Sequence, residues 1–153
     1  MIVMQATHEI LLEHWLRSGE NPGRIANAAS VVCDLERRYQ MALPEDFRGY
    51  LLHSAPENDL WDNDDFIWWS PIRVKNIPDE YEHEIDNLQV KPHAGSYLFF
   101  ADYCIWCWAW AICCDQSENR GKVIRVGGGD DPFVADSFSE FIRAYMTEPM
   151  SLC

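Results

Sequence analysis

The order of patterns along these 153 residues predicts an α+β fold: a single domain, residues 1–153, with a central, mainly antiparallel sheet flanked by N-terminal helices and a C-terminal helix. Three observations predict it. Helical periodicity fills the first third, short β-rich runs separated by tight turns fill the middle, and one strongly amphipathic helix closes the chain. The length is that of one domain, and hydrophobic residues at 48% supply a core that needs no staples.

The elements follow in order. Thr7 is positioned to cap a first helix with apolar residues Ile10, Leu11 and Trp15 at near-helical spacing, ended by "SGENPG". Asn21 followed by Pro22 reads as an N-cap with proline at the first helical position. From there Ile25, Ala28, Val32, Leu35 and Tyr39 form a 3.6-residue stripe to about Gln40. "ALPEDFRGYLLHSAP" predicts a third helix, with Pro44, Glu45 and Asp46 in its first turn and Phe47, Tyr50 and Leu51 inward. "FIWWS" and "KVIRV" read as strands, "FVA" as a short edge strand, and residues 71–95 as a polar connector with one irregular helical turn. In "DSFSEFIRAYM", Ser137 and Glu140 have capping-box spacing and Phe138, Phe141, Ile142 and Tyr145 share a face.

The run "YLFFADYCIWCWAWAICCD", residues 97–115, carries four cysteines and three tryptophans. Alternation places Trp106, Trp108, Trp110 and Ile112 on one face of a strand. Cys107, Ala109, Ala111 and Cys113 fall on the other, a smooth surface suited to a packed helix. Residues 97–101, 106–114 and 121–126 are predicted to be neighbouring antiparallel strands with the helix 137–147 on their sheet. Cys104 and Cys107 have C-x-x-C spacing, but on a strand residues three apart point to opposite faces, and no further Cys or His pair completes a tetrahedral set. The cysteines are read as core residues, with no metal and no cofactor.

Charge narrows the partners. Twelve Lys and Arg against 25 Asp and Glu give a net charge of −13, which repels phosphate backbones and attracts basic proteins. Direct nucleic-acid binding and membrane spanning are excluded on charge and on the short apolar runs. The opening "MIVMQATHEILLEHWLR" lacks a leader pattern, so a cytoplasmic location with reduced thiols is expected. Catalytic motifs are missing as well. "GGGDDP" has no P-loop lysine, "LWDNDDF" lacks the glycine and distant glutamate of a calcium loop, and "HEIDN" has no second histidine. No catalytic residue is nominated.

Three segments resemble the SUKH superfamily, which groups bacterial toxin-immunity proteins with a fungal cell-wall-assembly regulator. They are "LERRYQMALPEDFRGYLL", "YLFFADYCIWCWAWAI" and "GKVIRV…FVADSFSEFI", together spanning about residues 33–146. The chain departs from the pattern at "LLHSAPEN", where many members carry an "NGG"-like turn. The resemblance implies a non-enzymatic immunity protein that neutralises a cognate toxin, of nuclease or deaminase class, by direct binding. The alternative it implies is a regulatory or scaffold interaction module of the fungal type. For the contact surface, the acidic aromatic loop Glu57, Asp59, Trp61, Asp62, Asp64 and Asp65 is expected, extended by Asp79, Glu80 and Glu82. Loop carboxylates around an aromatic anchor suit a basic toxin.

Overall fold

The computed structural model describes residues 5–129 and 131–153; Met1 to Met4, which open the segment read against a leader, and Asp130 of the "GGGDDP" turn lie outside them. Helices α1 (Thr7–Arg17), α2 (Ala28–Tyr39) and α3 (Glu45–His53) come first. Strands β1 (Leu60–Trp61), β2 (Phe66–Trp68) and β3 (Lys75–Asn76), the one-turn helix α4 (Ile77–Glu80), and strands β4 (Tyr97–Tyr103), β5 (Trp108–Cys113), β6 (Val123–Val126) and β7 (Phe133–Ala135) follow. Helix α5 (Phe138–Thr147) completes the domain. Every strand pairing is antiparallel, in the order β1-β2-β4-β5-β6-β7, with β3 sharing the β2 edge of β4. The fold is α+β.

Both central strands are buried on both sides, so the sheet needs two covers. One is the helix layer. Trp68, Leu98, Phe100, Trp110 and Ile112 meet Trp15, Leu35, Phe47, Tyr50, Phe138 and Phe141 in one core. Rings there cross edge-on: Phe100 with Phe141 at 5.2 Å and 85°, Trp110 with Phe141 at 5.6 Å and 66°. Such pairs contribute about 0.5–1.5 kcal/mol each beyond the area they bury. The other cover is the connector, running as a strap over Tyr97, Phe99, Ala109, Ala111 and Cys113 and closing on them with Ile77 and Val90. A strap, not the expected helix, lies on the smooth face.

Several local expectations meet corrections. Helix α2 begins at Ala28, not after Asn21. Asn21 folds its side-chain carbonyl onto the Gly23 N–H at 3.3 Å, and Gly23 takes a left-handed φ of 66°, so the backbone leaves the helical path before Ile25. Thr7 does not cap α1; its hydroxyl lies 2.6 Å from that of Ser139 on α5. Ser137 does cap α5, accepting the Glu140 N–H at 3.0 Å. No helix of the described residues is long and apolar enough to cross a membrane.

The β5–β6 connection is pinned by Asp115, whose carboxylate accepts from the Ser117 N–H at 2.9 Å and the Cys113 thiol at 3.3 Å. It also meets His93 of the strap at 2.9 Å. Burial alone would raise this carboxyl, but the hydrogen bonds from Ser117, Cys113 and His93 outweigh it and hold the group below the ordinary 3.8. A carboxyl depressed in the folded state stabilises the fold above its unfolded pKa, and that contribution is lost as pH falls below it. Urea unfolding followed from pH 6 down through pH 4 and below should therefore show an acid limb of falling stability, about one proton steeper in the parent than in Asp115→Asn.

Candidate protein interface

The β4–β5 hairpin turns where the sequence offers no glycine, asparagine or proline. Cys104, Ile105 and Trp106 have φ of 45°, 59° and 61°, and the turn is closed by Cys107 N–H donating to the Tyr103 carbonyl at 2.9 Å. Left-handed backbone costs a side-chain-bearing residue about 1–2 kcal/mol, and for β-branched Ile105 it is a clear outlier. The turn persists because its surroundings hold it. The Asp102 carboxylate, 2% exposed, accepts the Trp106 N–H at 2.6 Å and the Trp69 indole N–H at 2.6 Å. The Cys104 N–H donates to the Asp65 carbonyl at 2.9 Å, tying the tip to the β1–β2 turn.

This tip moves Trp106 off the row predicted for it. The strand β5 starts at Trp108, two residues later than expected, so Trp106 falls on the strap side, stacked on Tyr81 at 5.6 Å and 11° and edge-on to Phe99. Trp108 is half-buried against Tyr103, and Trp110 is fully buried with its indole N–H on the Leu152 carbonyl at 2.8 Å. The tip also places Cys104 and Cys107 on a turn, which removes the strand-geometry argument against their acting together. Among the described residues no three His, Cys, Asp or Glu side chains converge to hold a metal.

The sequence-nominated contact residues divide. Trp61, 50% exposed, donates its indole N–H to Asp65 at 3.0 Å, and Asp64 beside it is exposed. Glu80 and Glu82 lie across the tip, lining with Tyr81, His83, Trp106 and Cys107 a shallow hollow of about 540 Å³. Between the two groups stands Ile105, 70% exposed. The hairpin tip links the two groups, Cys104 bonding the Asp65 carbonyl and Trp106 stacking on Tyr81. Glu57 faces away from it, against Gly23 of the loop before α2. Asp79 turns to α2, accepting the Tyr39 hydroxyl at 2.7 Å. Asp59 is engaged by Arg73 at 2.6 Å and by the Ser70 N–H at 2.9 Å, while the Arg73 guanidinium lies 3.9 Å over the Trp69 ring.

Asp62 is the correction. It is 6% exposed and its carboxylate is fully used: Oδ1 accepts the N–H groups of Asp64 and Phe66, and Oδ2 accepts the Trp68 indole N–H at 3.0 Å and the Tyr145 hydroxyl. Tyr145 also receives the Trp15 indole N–H at 3.3 Å. Burial first, and then the bond to Asp62, hold the Tyr145 phenol above its ordinary range. Asp62 is thus a knot joining α1, α5 and the β1–β2 hairpin, with no oxygen left for a partner.

One grouping among the described residues brings a thiol, a carboxylate and an imidazole together without placing the imidazole on the sulfur. Cys113, Asp115 and His93 are linked, but Asp115 stands between thiol and imidazole, so the imidazole does not meet the sulfur. Cys113 is buried, and burial pushes its thiol up.

The division of the carboxylates has a measurable consequence. Asp62→Asn puts amide hydrogens against buried donors and should lower unfolding stability by about 1–3 kcal/mol. Asp64→Asn and Asp65→Asn should each stay within about 0.5 kcal/mol, since both are exposed and asparagine accepts the left-handed φ of 66° at Asp65. Urea midpoints of the three single variants decide it.

Comparison with known proteins bears on the whole fold and not on any single residue. No curated protein and no solved structure matches the chain. The family model of the SMI1 / KNR4 family (SUKH-1) matches residues 30–144, about three quarters of the chain, taking in most of α2, all of α3, the whole sheet and most of α5. The chain belongs to the SMI1 / KNR4 family (SUKH-1).

Proposed function

We propose that this protein is a non-catalytic immunity protein that binds a basic cognate toxin, of nuclease or deaminase class, and blocks its active site or substrate channel. Family membership supports a protein-interaction role. The observation that carries the site is the end of the sheet where Trp61 and Ile105 stand exposed, rimmed by Asp64, Asp65, Glu80 and Glu82. An apolar centre with a charged rim is how interfaces divide labour: the centre contributes most of the affinity, and the rim steers the encounter. A net charge of −13 extends that steering field over the molecule. The toxin's channel, built for nucleic acid or nucleobases, carries the opposite sign.

The sequence resemblance to a superfamily that includes a fungal cell-wall-assembly regulator supports a second reading, a scaffold module that uses the same surface on a regulatory partner. Gene neighbourhood separates the two. A large toxin gene beside this one supports immunity, and its absence with a cell-wall or regulatory neighbour supports the scaffold.

Centre and rim should respond differently to substitution. Against the toxin encoded alongside, Asp64→Asn with Asp65→Asn should slow association several-fold at low ionic strength and little at high salt. Trp61→Ala should act on dissociation instead, costing about 2 kcal/mol or more, roughly a thirtyfold loss of affinity. Surface plasmon resonance at two salt concentrations reads both. Unchanged rates for all three substitutions would remove this end of the sheet as the contact.

A further inference from the structure

The hairpin tip holds chemistry that a binding surface does not call for. Six cysteines are free, and they differ sharply in setting. Cys113, the last residue of β5, and Cys114 just after it are buried and belong to the cores on opposite faces of the sheet. Cys33 is exposed alone on α2, and Cys153 is half-buried at the C-terminus. Cys104 and Cys107 alone share a turn, and both reach the surface.

We infer that Cys104 and Cys107 are an oxidisable dithiol, closing a disulfide across the β4–β5 tip when the protein meets a small-molecule disulfide such as oxidised glutathione. Three consecutive left-handed residues, closed by the Cys107 N–H on the Tyr103 carbonyl at 2.9 Å, make one turn of left-handed helix. On a helical turn, residues three apart are neighbours, with Cβ atoms roughly 5–6 Å apart; a disulfide needs about 3.5–4.5 Å. The remaining approach is small, and the side chains already lean that way. The Cys107 thiol donates to the Cys104 carbonyl at 3.4 Å, which carries its sulfur back over residue 104. The Cys104 thiol is held up by burial first and then by Cys107 itself, as expected of two sulfurs on one turn.

The exchange balances without any group from elsewhere in the fold. Cys107, the more exposed, attacks one sulfur of the small disulfide as thiolate. Its S–S bond breaks, releasing one thiolate and leaving a mixed disulfide on Cys107. The Cys104 thiolate then attacks the Cys107 sulfur, expelling the second small thiolate. Both cysteine protons end on the released thiols, so the protein loses two electrons and two protons and the oxidant gains them. Acidic neighbours, Asp65 and Asp102, disfavour the Cys104 thiolate, so the exchange is slow and needs a sustained oxidant. The bridge forms at the centre of the exposed surface, beside Ile105 and Trp106, but its chemistry stands whatever partner that surface takes.

The test is peptide mapping by mass spectrometry after incubating the folded protein with excess oxidised glutathione, then alkylating the remaining thiols. The expected product has residues 104 and 107 linked in one peptide, that pair lighter by two hydrogens and carrying neither alkyl group nor glutathione, whatever exposed Cys33 carries. In Cys104→Ser, which cannot resolve the intermediate, glutathione should instead remain attached to Cys107, and dithiothreitol should release it. A parent protein that accumulates glutathione on Cys107 with no bridge overturns the inference, as does a bridge that joins any other pair or two chains. A turn left unreacted while Cys33 is fully glutathionylated overturns it equally.

Discussion

A pair of strands with apolar side chains on both faces cannot lie on a protein surface, and the rest of this fold follows from that constraint on β4 and β5. Their backbone groups are satisfied within the ladder, leaving two large apolar sheets of side chains to remove from water. The faces differ in relief. Phe100, Trp110 and Ile112 make a rugged face, and four helices interdigitate with it. Ala109, Ala111 and Cys113 leave room on the other face for backbone to come close, and an irregular strap suffices there. The strap needs no helical ladder because side chains serve its turns. Asn76 caps α4 and reaches the Gly95 carbonyl, and Asn87 accepts the N–H groups of Gln89 and Val90.

This division explains which parts of the fold are legible in the sequence. Helix α5 is announced by its own residues, since Ser137 and the Phe138, Phe141, Ile142, Tyr145 face are local signals. The strand cores are legible for the same reason. The strap is legible only as a polar connector, because what makes it a cover is the few apolar residues, Ile77 and Val90, that meet a surface made elsewhere. The false start of α2 at Asn21 has a different cause: Asn-Pro suits an Asx turn as well as an N-cap, and Gly23 decides for the turn. The tip at 104–106 gave no warning at all. Turn residues are recognised because they adopt left-handed backbone cheaply, and Cys104, Ile105 and Trp106 adopt it at a cost that the nearby Asp102 and distant contacts with Asp65 and Tyr81 offset.

The candidate surface was legible in its composition and not in its membership. Within "WDNDD" nothing local distinguishes Asp62 from Asp64 or Asp65. The distinction comes from Tyr145, 83 residues away, and from the way β2 brings Trp68 under the same carboxylate. Asp102 is the same case: a buried acid in an apolar strand on which groups from two segments, residues 69–73 and the hairpin tip, converge. It receives Trp69 and Trp106 directly and faces Arg73 at 4.0 Å. Asp62 and Asp102 are therefore internal struts, and the proposed steering field is drawn from other acids.

Strain at the hairpin tip bears on the proposed recognition for a physical reason. An exposed isoleucine on an ordinary flexible loop must be ordered when a partner arrives, and that ordering subtracts from affinity. Here the ordering has already been done during folding. Asp102 fixes the Trp106 amide, Tyr81 holds its ring, and the Asp65 carbonyl fixes the amide of Cys104, so Ile105 between them is presented outward on a backbone with few alternatives. The left-handed turn is destabilising to the isolated hairpin and stable in the domain, because the sheet end, the β1–β2 turn and the strap each hold one of its residues. Any change that releases one of those three holds frees the turn to relax toward ordinary backbone. Ile105 is then no longer held outward, and a partner that docks on it must order the tip again.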